Sequence, residues 1–319
     1  MPQGNQRFLR FLYFLSLVRW YNVALISFAQ IFLAAYMQLM LHAEASKKLA
    51  LWYFLTDINT YLMVVASAFT IAAAYIINSF YDRDKDLVNR PSHPLMASAI
   101  GTKHLANLYI IFNVIGLTFA VVASTKIAAY FLGIQILSWF YSHKLQKIAF
   151  LRELTSSLLT VSPVLAVWIH LGLPSIEILG FFTALALIIL TKDVLKGLDG
   201  HRGNLIFGYR TVAVVTSRNN ARLSLIVINL MAFLLFLYLR FWFDWTLAVD
   251  SWKYFGDVGL IYLIGFSIGF SLSGSILAYI LPLNLVKWAV RWQKLVLIGH
   301  VSGIVALIVY KYILIYLPL

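Results

Sequence analysis

Between Ala72 and Ile100 the chain reads AAAYIINSFYDRDKDLVNRPSHPLMASAI, and Asn78, Asp82 and Asp86 recur at every fourth position. On a helix this spacing sets one amide and two carboxylates along a single face, one turn apart. Carboxylates at the end of an apolar run are costly to bury and need a reason to be there. Two carboxylates and an amide oxygen form a hard-oxygen array suited to Mg²⁺, an ion usually held by one or two carboxylates together with phosphate oxygens. The same spacing also fits an interfacial helix end, where Asp82, Arg83, Asp84, Lys85 and Asp86 pair with one another and face water. Asn89-Arg90-Pro91 and His93-Pro94-Leu95 follow, and the prolines predict a loop that cannot stay helical.

A second polar stretch, TKDVLKGLDGHR over 191–202, leads into FGYRT over 207–211. It brings Lys192, Asp193, Lys196, Asp199 and Arg210. Asp193 and Asp199 are six residues apart, about 240° around a continuous helix, so they share a face only if Gly197 and Gly200 break it. Two smaller groups complete the set. Arg19 and Asn22, at i and i+3, share a face of the first apolar segment. Arg19 can equally snorkel beside interfacial Trp20 and Tyr21, whereas Asn22 lies deeper and needs a partner. Tyr141 and Lys144 have the same spacing, and Lys144 suits either a phosphate oxygen or a plain interfacial position.

The elements that must position these residues are membrane helices. The 319 residues are 62% hydrophobic and 12% charged, with a mean hydropathy of +0.85, a composition foreign to soluble domains of this size. Apolar runs at about 12–40, 58–82, 104–123, 126–142, 154–172, 174–192, 221–243, 256–282 and 294–316 predict nine transmembrane helices. The runs are too long, and alternate too little, for barrel strands. Short connections make helices 3/4 and 5/6 antiparallel hairpins. Nineteen of the 25 Lys and Arg fall at the N-terminal end, in the even-numbered loops or at the helix ends that flank those loops. This predicts a cytoplasmic N-terminus, with both acidic stretches on the cytoplasmic side. The net charge of +13 then reflects basic loops that meet anionic membrane lipids or an anionic substrate, and no nucleic-acid motif accompanies it. The absence of Cys excludes disulfides and thiolate metal sites. The basic N-terminal segment, with its long apolar run, reads as a retained first helix. The small residues Ser271, Ser273, Gly274 and Ser275 suit close helix packing.

The string NxxxDRDxDxxNRPxxPL from Asn78 to Leu95 resembles the first aspartate-rich motif of the UbiA superfamily of intramembrane prenyltransferases, with Ser79 where an Asp is usual and His93 where an Arg is usual. Lys192-Asp193 and FGYRT resemble the two ends of that family's second acidic motif. Its middle departs: Lys196 stands where a second Asp is usual, and Asp199-Gly200 is shifted. Arg19 and Asn22 resemble an RPxN element, and Tyr141 to Leu145 a YSxxLK-like segment. The resemblance implies an all-α, single transmembrane domain over 1–319, with two helical halves, roughly 1–145 and 146–319, around a central cavity open to lipid. It implies Mg²⁺ held by Asn78, Asp82, Asp86, Asp193 and Asp199, with Lys192 beside them. A polyprenyl diphosphate donor would then meet Arg19, Asn22, Asn78, Tyr81, Arg90, Tyr141, Lys144, Lys196 and Arg210. Ionisation would leave an allylic cation facing Tyr75, Phe80, Tyr81 or Tyr141. The acceptor would be lipophilic, a quinone precursor or an isoprenyl glycerol phosphate. Lys196 either substitutes a fixed cation for one metal or weakens the enzyme. Two other readings remain: a non-catalytic isoprenoid-lipid binding or transport protein on the same scaffold, and a transporter, for which no paired broken helices speak.

Overall fold

The computed structural model describes residues 3–41, 47–89, 91–172, 176–238, 258–282, 285–293, 295, 298–299 and 302. Among these the regular structure is helical throughout. The helices are α1 (Gln3–Leu17), α2 (Trp20–Leu41), α3 (Lys47–Thr56), α4 (Ile58–Tyr81), α5 (Arg83–Asn89), α6 (Ser92–Ile100), α7 (Thr102–Ala123), α8 (Thr125–His143), α9 (Leu151–Leu171), α10 (Ile176–Asp199), α11 (His201–Ile206), α12 (Val212–Val215), α13 (Arg218–Leu237) and α14 (Val258–Ile280). Four described segments are long and apolar enough to cross a membrane: Trp20–Gln38, Ile58–Tyr81, Thr102–Ala123 and Leu151–Leu171. The predicted run 294–316 lies outside the described residues apart from isolated positions.

Helix α4 is the central strut of the first helical group. Asp57 caps its start, accepting from the Asn59 amide at 3.1 Å and the Thr60 hydroxyl at 2.6 Å. Its buried face carries small side chains, among them Ala66, Ser67, Thr70 and Ala73. This lets α7 approach until a Cβ on Gly116 would stand 3.1 Å from Thr70 Oγ1 and 3.2 Å from the Ala66 carbonyl. Side-chain amides and hydroxyls then fasten α2, α7, α8 and α9. Gln30 donates to the Pro163 carbonyl at 2.7 Å, Gln135 to the Asn113 carbonyl at 3.1 Å and Tyr130 to the Ser162 carbonyl at 2.7 Å. Pro163 cannot supply the N–H that the Leu159 carbonyl would normally accept. The Ser162 hydroxyl does so instead at 2.8 Å, which keeps α9 intact across its proline.

A second group gathers α10, α13 and α14, with α9 packed against α10 as well as against α2, α4 and α8. Buried Asn229 of α13 donates to Thr191 of α10 at 3.1 Å and Ser275 of α14 at 2.8 Å. Gly274 receives Trp292 so closely that a Cβ would lie 2.8 Å from its ring, as the run of small residues there predicts.

Two expectations are corrected. The apolar run 12–40 is two helices: Arg19 adopts φ 50°, a left-handed conformation that breaks the helix, and the membrane-length segment begins at Trp20. Helix α1 turns aside, and Phe14, Leu17 and Val18 pack with Ala97 and Ile100 of α6 and with Leu105 and Phe112 of α7. The segment after Pro91 is a helix, α6, and not a loop. Pro94 falls in its first turn, where the missing N–H would have had no helical acceptor.

Candidate active site

The backbone hydrogen bonds carry the one-turn register of Asn78, Asp82 and Asp86 through the end of α4. Asp82 N–H donates to the Asn78 carbonyl at 2.9 Å, and Asp86 N–H to the Asp82 carbonyl at 2.8 Å. Asn78 Nδ2 donates to Asp82 Oδ2 at 3.1 Å, which leaves its amide oxygen for a cation. This helix end does not simply face water. Arg83 and Asp84 are exposed, but Asp82 and Lys85 are buried, with Lys85 Nζ 2.7 Å from Asp82 Oδ1. Burial pushes the Lys85 ammonium below its ordinary pKa, and the Asp82 charge offsets this only in part. The same ammonium lies 4.4 Å from the centre of the Tyr209 ring. Asp86 Oδ2 has His93 Nδ1 at 3.4 Å.

Helix α10 runs unbroken through Gly197 to Asp199. Asp193 is therefore buried while Asp199, six residues on, is exposed. Lys196 Nζ lies 3.2 Å and Lys192 Nζ 3.9 Å from Asp193 Oδ1. The break comes at Gly200, and α11 then docks onto α5. Asn89 Oδ1 accepts from the Gly203 amide at 3.1 Å, and Asn89 Nδ2 donates to the Gly200 carbonyl at 3.4 Å. The Tyr209 hydroxyl donates to the Tyr81 carbonyl at 3.3 Å. The two polar stretches, more than a hundred residues apart in sequence, thus meet at one end of the molecule.

Arg152, in the first turn of α9, joins them. Its guanidinium interacts electrostatically with Asp82, Asp193, Tyr141 and Glu153, and its buried Nη1 has no hydrogen-bond partner. Tyr141 in turn senses Arg152, Asp193 and Asp82. Glu153 anchors this turn by accepting from the Phe150 and Val212 amides, each at 3.1 Å. Farther round, Arg19 stacks 4.9 Å from the Tyr75 ring centre, Asn22 Nδ2 donates to the Tyr75 hydroxyl at 3.2 Å, and Lys196 senses the Arg19 charge. Lys144 and Arg210 are exposed; the Arg210 amide donates to the Lys147 carbonyl at 3.1 Å. Phe80 is exposed, and the Tyr81 ring meets His143 edge-on at 5.5 Å. Arg90 lies outside the described residues.

The sequence reading missed Arg152, the burial of Lys85, and Tyr209. The Arg-Glu pair that opens an otherwise apolar helix was the available signal for Arg152. Charges placed there are expensive unless they serve a partner.

The first acidic group has donors that fit Mg²⁺: an amide oxygen and two carboxylates in one-turn register. Among the described residues no three acidic or imidazole side chains are close enough to hold a metal by themselves. Mg²⁺ usually takes one or two carboxylates and completes its shell with water and phosphate. The second group fits less well, because its buried carboxylate already has two ammonium neighbours.

Solved structures of low sequence identity share this fold. One, concerned with digeranylgeranylglyceryl phosphate synthase in membranes, superposes with a TM-score of 0.66 at 16% identity, covering 93% of this chain and 98% of the other. Another, a UbiA homologue from Archaeoglobus fulgidus bound to GPP and Mg²⁺, gives a TM-score of 0.60 at 18% identity, covering 92% and 99%. In sequence, digeranylgeranylglyceryl phosphate synthase of Pyrococcus horikoshii is 24% identical over 161 residues, which is 50% of this chain and 57% of that relative. The chain thus spans little more than half the length of that curated relative. Residues 54–262, covering both acidic stretches and the helices between them, match the UbiA prenyltransferase family, and the chain belongs to that family of integral membrane proteins.

Proposed function

We propose that this protein transfers a polyprenyl group from a polyprenyl diphosphate to a lipophilic acceptor within the membrane. One observation carries the reading: the Gly203 amide donates to Asn89 Oδ1 at 3.1 Å and the Tyr209 hydroxyl to the Tyr81 carbonyl at 3.3 Å, so the two acidic stretches lie side by side at one end of the molecule. Mg²⁺, when bound, supplies positive charge against the negative charge that develops on a departing diphosphate. Asn78, Asp82 and Asp86 would hold that ion, and Lys192, Lys196 and Arg152 would bind phosphate oxygens through charge-assisted hydrogen bonds. Breaking the C1–O bond releases pyrophosphate and leaves an allylic cation. The faces of Tyr75, Tyr81 and Tyr141 shelter that cation, with Arg19 and Asn22 fixing the Tyr75 ring. A hydroxyl of the acceptor attacks C1, forming the new C–O bond, and its proton passes to the departed pyrophosphate. Exposed Lys144 and Arg210 meet the acceptor head group or anionic lipid on the cytoplasmic side.

An isoprenyl glycerol phosphate is the favoured acceptor class, supported by the digeranylgeranylglyceryl phosphate synthases among the similar proteins. The test is pyrophosphate release by the purified protein from labelled geranylgeranyl and farnesyl diphosphate. It is run with and without Mg²⁺, against isoprenyl glycerol phosphates and aromatic quinone precursors. Mg²⁺-dependent product with a glycerol phosphate is expected. Unchanged donor with every acceptor would instead favour a non-catalytic isoprenoid-binding protein, for which the lysines already paired with Asp193 speak.

A further inference from the structure

We propose that the diphosphate centre is built asymmetrically, with one divalent cation on the Asn78, Asp82 and Asp86 side, the resident cations Lys192 and Lys196 in place of a second metal on the Asp193 side, and Arg152 between the two. This inference deepens the functional reading above and rests on it for the identity of the anion.

The two acidic groups differ in sign. Where α4 meets α5, Asp82 pairs with the Lys85 ammonium at 2.7 Å, and Asp86 has His93 beside it at 3.4 Å. On α10, buried Asp193 has Lys196 at 3.2 Å and Lys192 at 3.9 Å. Arg152 lies between the two groups, and its charge reaches Asp82 as well as Asp193. A divalent ion brought to Asp193 would meet a neighbourhood that is already net positive, and like charges that close oppose one another. Nor does Asp199 add a second carboxylate there, since the unbroken α10 turns it to an exposed face.

The same excess charge suits an anion. Arg152 Nη1 is buried with no acceptor, and a buried guanidinium N–H left unpaired is costly. A phosphate oxygen satisfies it, and the planar fork of arginine matches phosphate geometry. The Lys196 side chain is 30% exposed, so its ammonium can move from Asp193 to an incoming ligand without first being dug out of the fold. A diphosphate bridging the two sides would take its metal from one acidic stretch and its fixed cations from the other.

Inorganic pyrophosphate is the probe. Its binding to the purified protein is measured calorimetrically in EDTA, and bound Mn²⁺ is counted by electron paramagnetic resonance with pyrophosphate saturating. The wild type should bind pyrophosphate in EDTA, and Lys196→Gln should bind it about tenfold more weakly, the loss expected for one charge-assisted hydrogen bond. Arg152→Lys should weaken it as well. Lys196→Gln keeps the test decisive where the Arg152 variant fails to fold, because Lys196 is partly exposed. One Mn²⁺ per chain is expected in the wild type and a second in Lys196→Asp. Two Mn²⁺ in the wild type, or no pyrophosphate binding in EDTA, overturns the proposal even where prenyl transfer is observed. Pyrophosphate binding in EDTA with one Mn²⁺ upholds it even where no acceptor is prenylated, and then only the transferase reading fails.

Discussion

Asn89 and Gly203 close the molecule at its polar end. The Asn89 side-chain oxygen accepts from the Gly203 amide at 3.1 Å, and a Cβ built on Gly203 would lie 2.5 Å from that oxygen. Only glycine allows the contact, and through it α5, which follows Asp82, and α11, which follows α10 with Asp193, are held together.

Gly203→Ala should therefore separate the two loops. Asn89→Ala should do less: it removes the clash partner but leaves the buried Gly203 amide unsatisfied, at about 1–3 kcal/mol. Melting of the detergent-solubilised protein, read beside pyrophosphate release, gives the order wild type, Asn89→Ala, Gly203→Ala. Restoration of the alanine variant by Asn89→Gly would show that the steric contact is the cause. Equal melting temperatures for all variants would show that the docking contributes nothing.

Asp82→Asn and Asp86→Asn should both lose turnover, because each removes a carboxylate from the group that fits Mg²⁺. Their stabilities should differ. Asp86 is partly exposed, so its loss is mild, whereas Asp82→Asn strips the counter-charge from buried Lys85. Breaking one side of a buried pair costs about 3–5 kcal/mol. Adding Lys85→Met to Asp82→Asn should recover most of the stability and none of the turnover. A double variant no more stable than Asp82→Asn would argue against the Asp82–Lys85 pair as the cause.

Much of this site was legible in the sequence because spacing alone encodes it. The i, i+4, i+8 placing of Asn78, Asp82 and Asp86 survives because the one-turn backbone register continues past the end of α4. The angular argument for Asp193 and Asp199 also holds: Gly197 stays helical, and the two acids face apart. Arg152 was illegible as a site residue because its meaning comes from three other elements, α4, α8 and α10, that no local pattern relates to it. The break at Arg19 was hidden for another reason. Apolar periodicity passes through residues 12–40 without interruption, and the left-handed conformation of one arginine is settled by how α1 packs on α6 and α7.

Asp57 offers a pH-dependent test at the opposite end of α4. Burial alone would raise its pKa. Hydrogen bonds from Thr60 and His170, together with the His170 charge, outweigh burial and hold the carboxyl below its ordinary value of 3.8. A carboxylate with a depressed folded pKa stabilises the fold above its unfolded pKa and ceases to do so as pH falls through the folded value. Asp57→Ala should cost about 0.5–2 kcal/mol at neutral pH, as for other helix caps. The gap in melting temperature between wild type and variant should shrink below about pH 4. A gap that is constant across pH 3–7 would mean that the carboxylate charge plays no part in the cap.

The last prediction concerns orientation. Nineteen of the 25 Lys and Arg lie before the first span, in the even-numbered loops or at the helix ends that flank those loops, which favours a cytoplasmic N-terminus. The docking of Asn89 against Gly200 and Gly203 adds a constraint that charge counting lacks: α5 and α11 are on the same side whatever the number of spans. Ser124, which joins α7 to α8, lies one membrane-length helix away from that side, beyond Thr102–Ala123. Cysteines introduced singly into this cysteine-free chain report the sides directly. In intact cells a membrane-impermeant maleimide should label Lys126→Cys and leave Ser92→Cys and Arg202→Cys unlabelled until the membrane is opened. Labelling of Ser92→Cys and Arg202→Cys from outside, with Lys126→Cys protected, would invert the topology. Labelling of Ser92→Cys without Arg202→Cys would contradict the docking of the two loops itself.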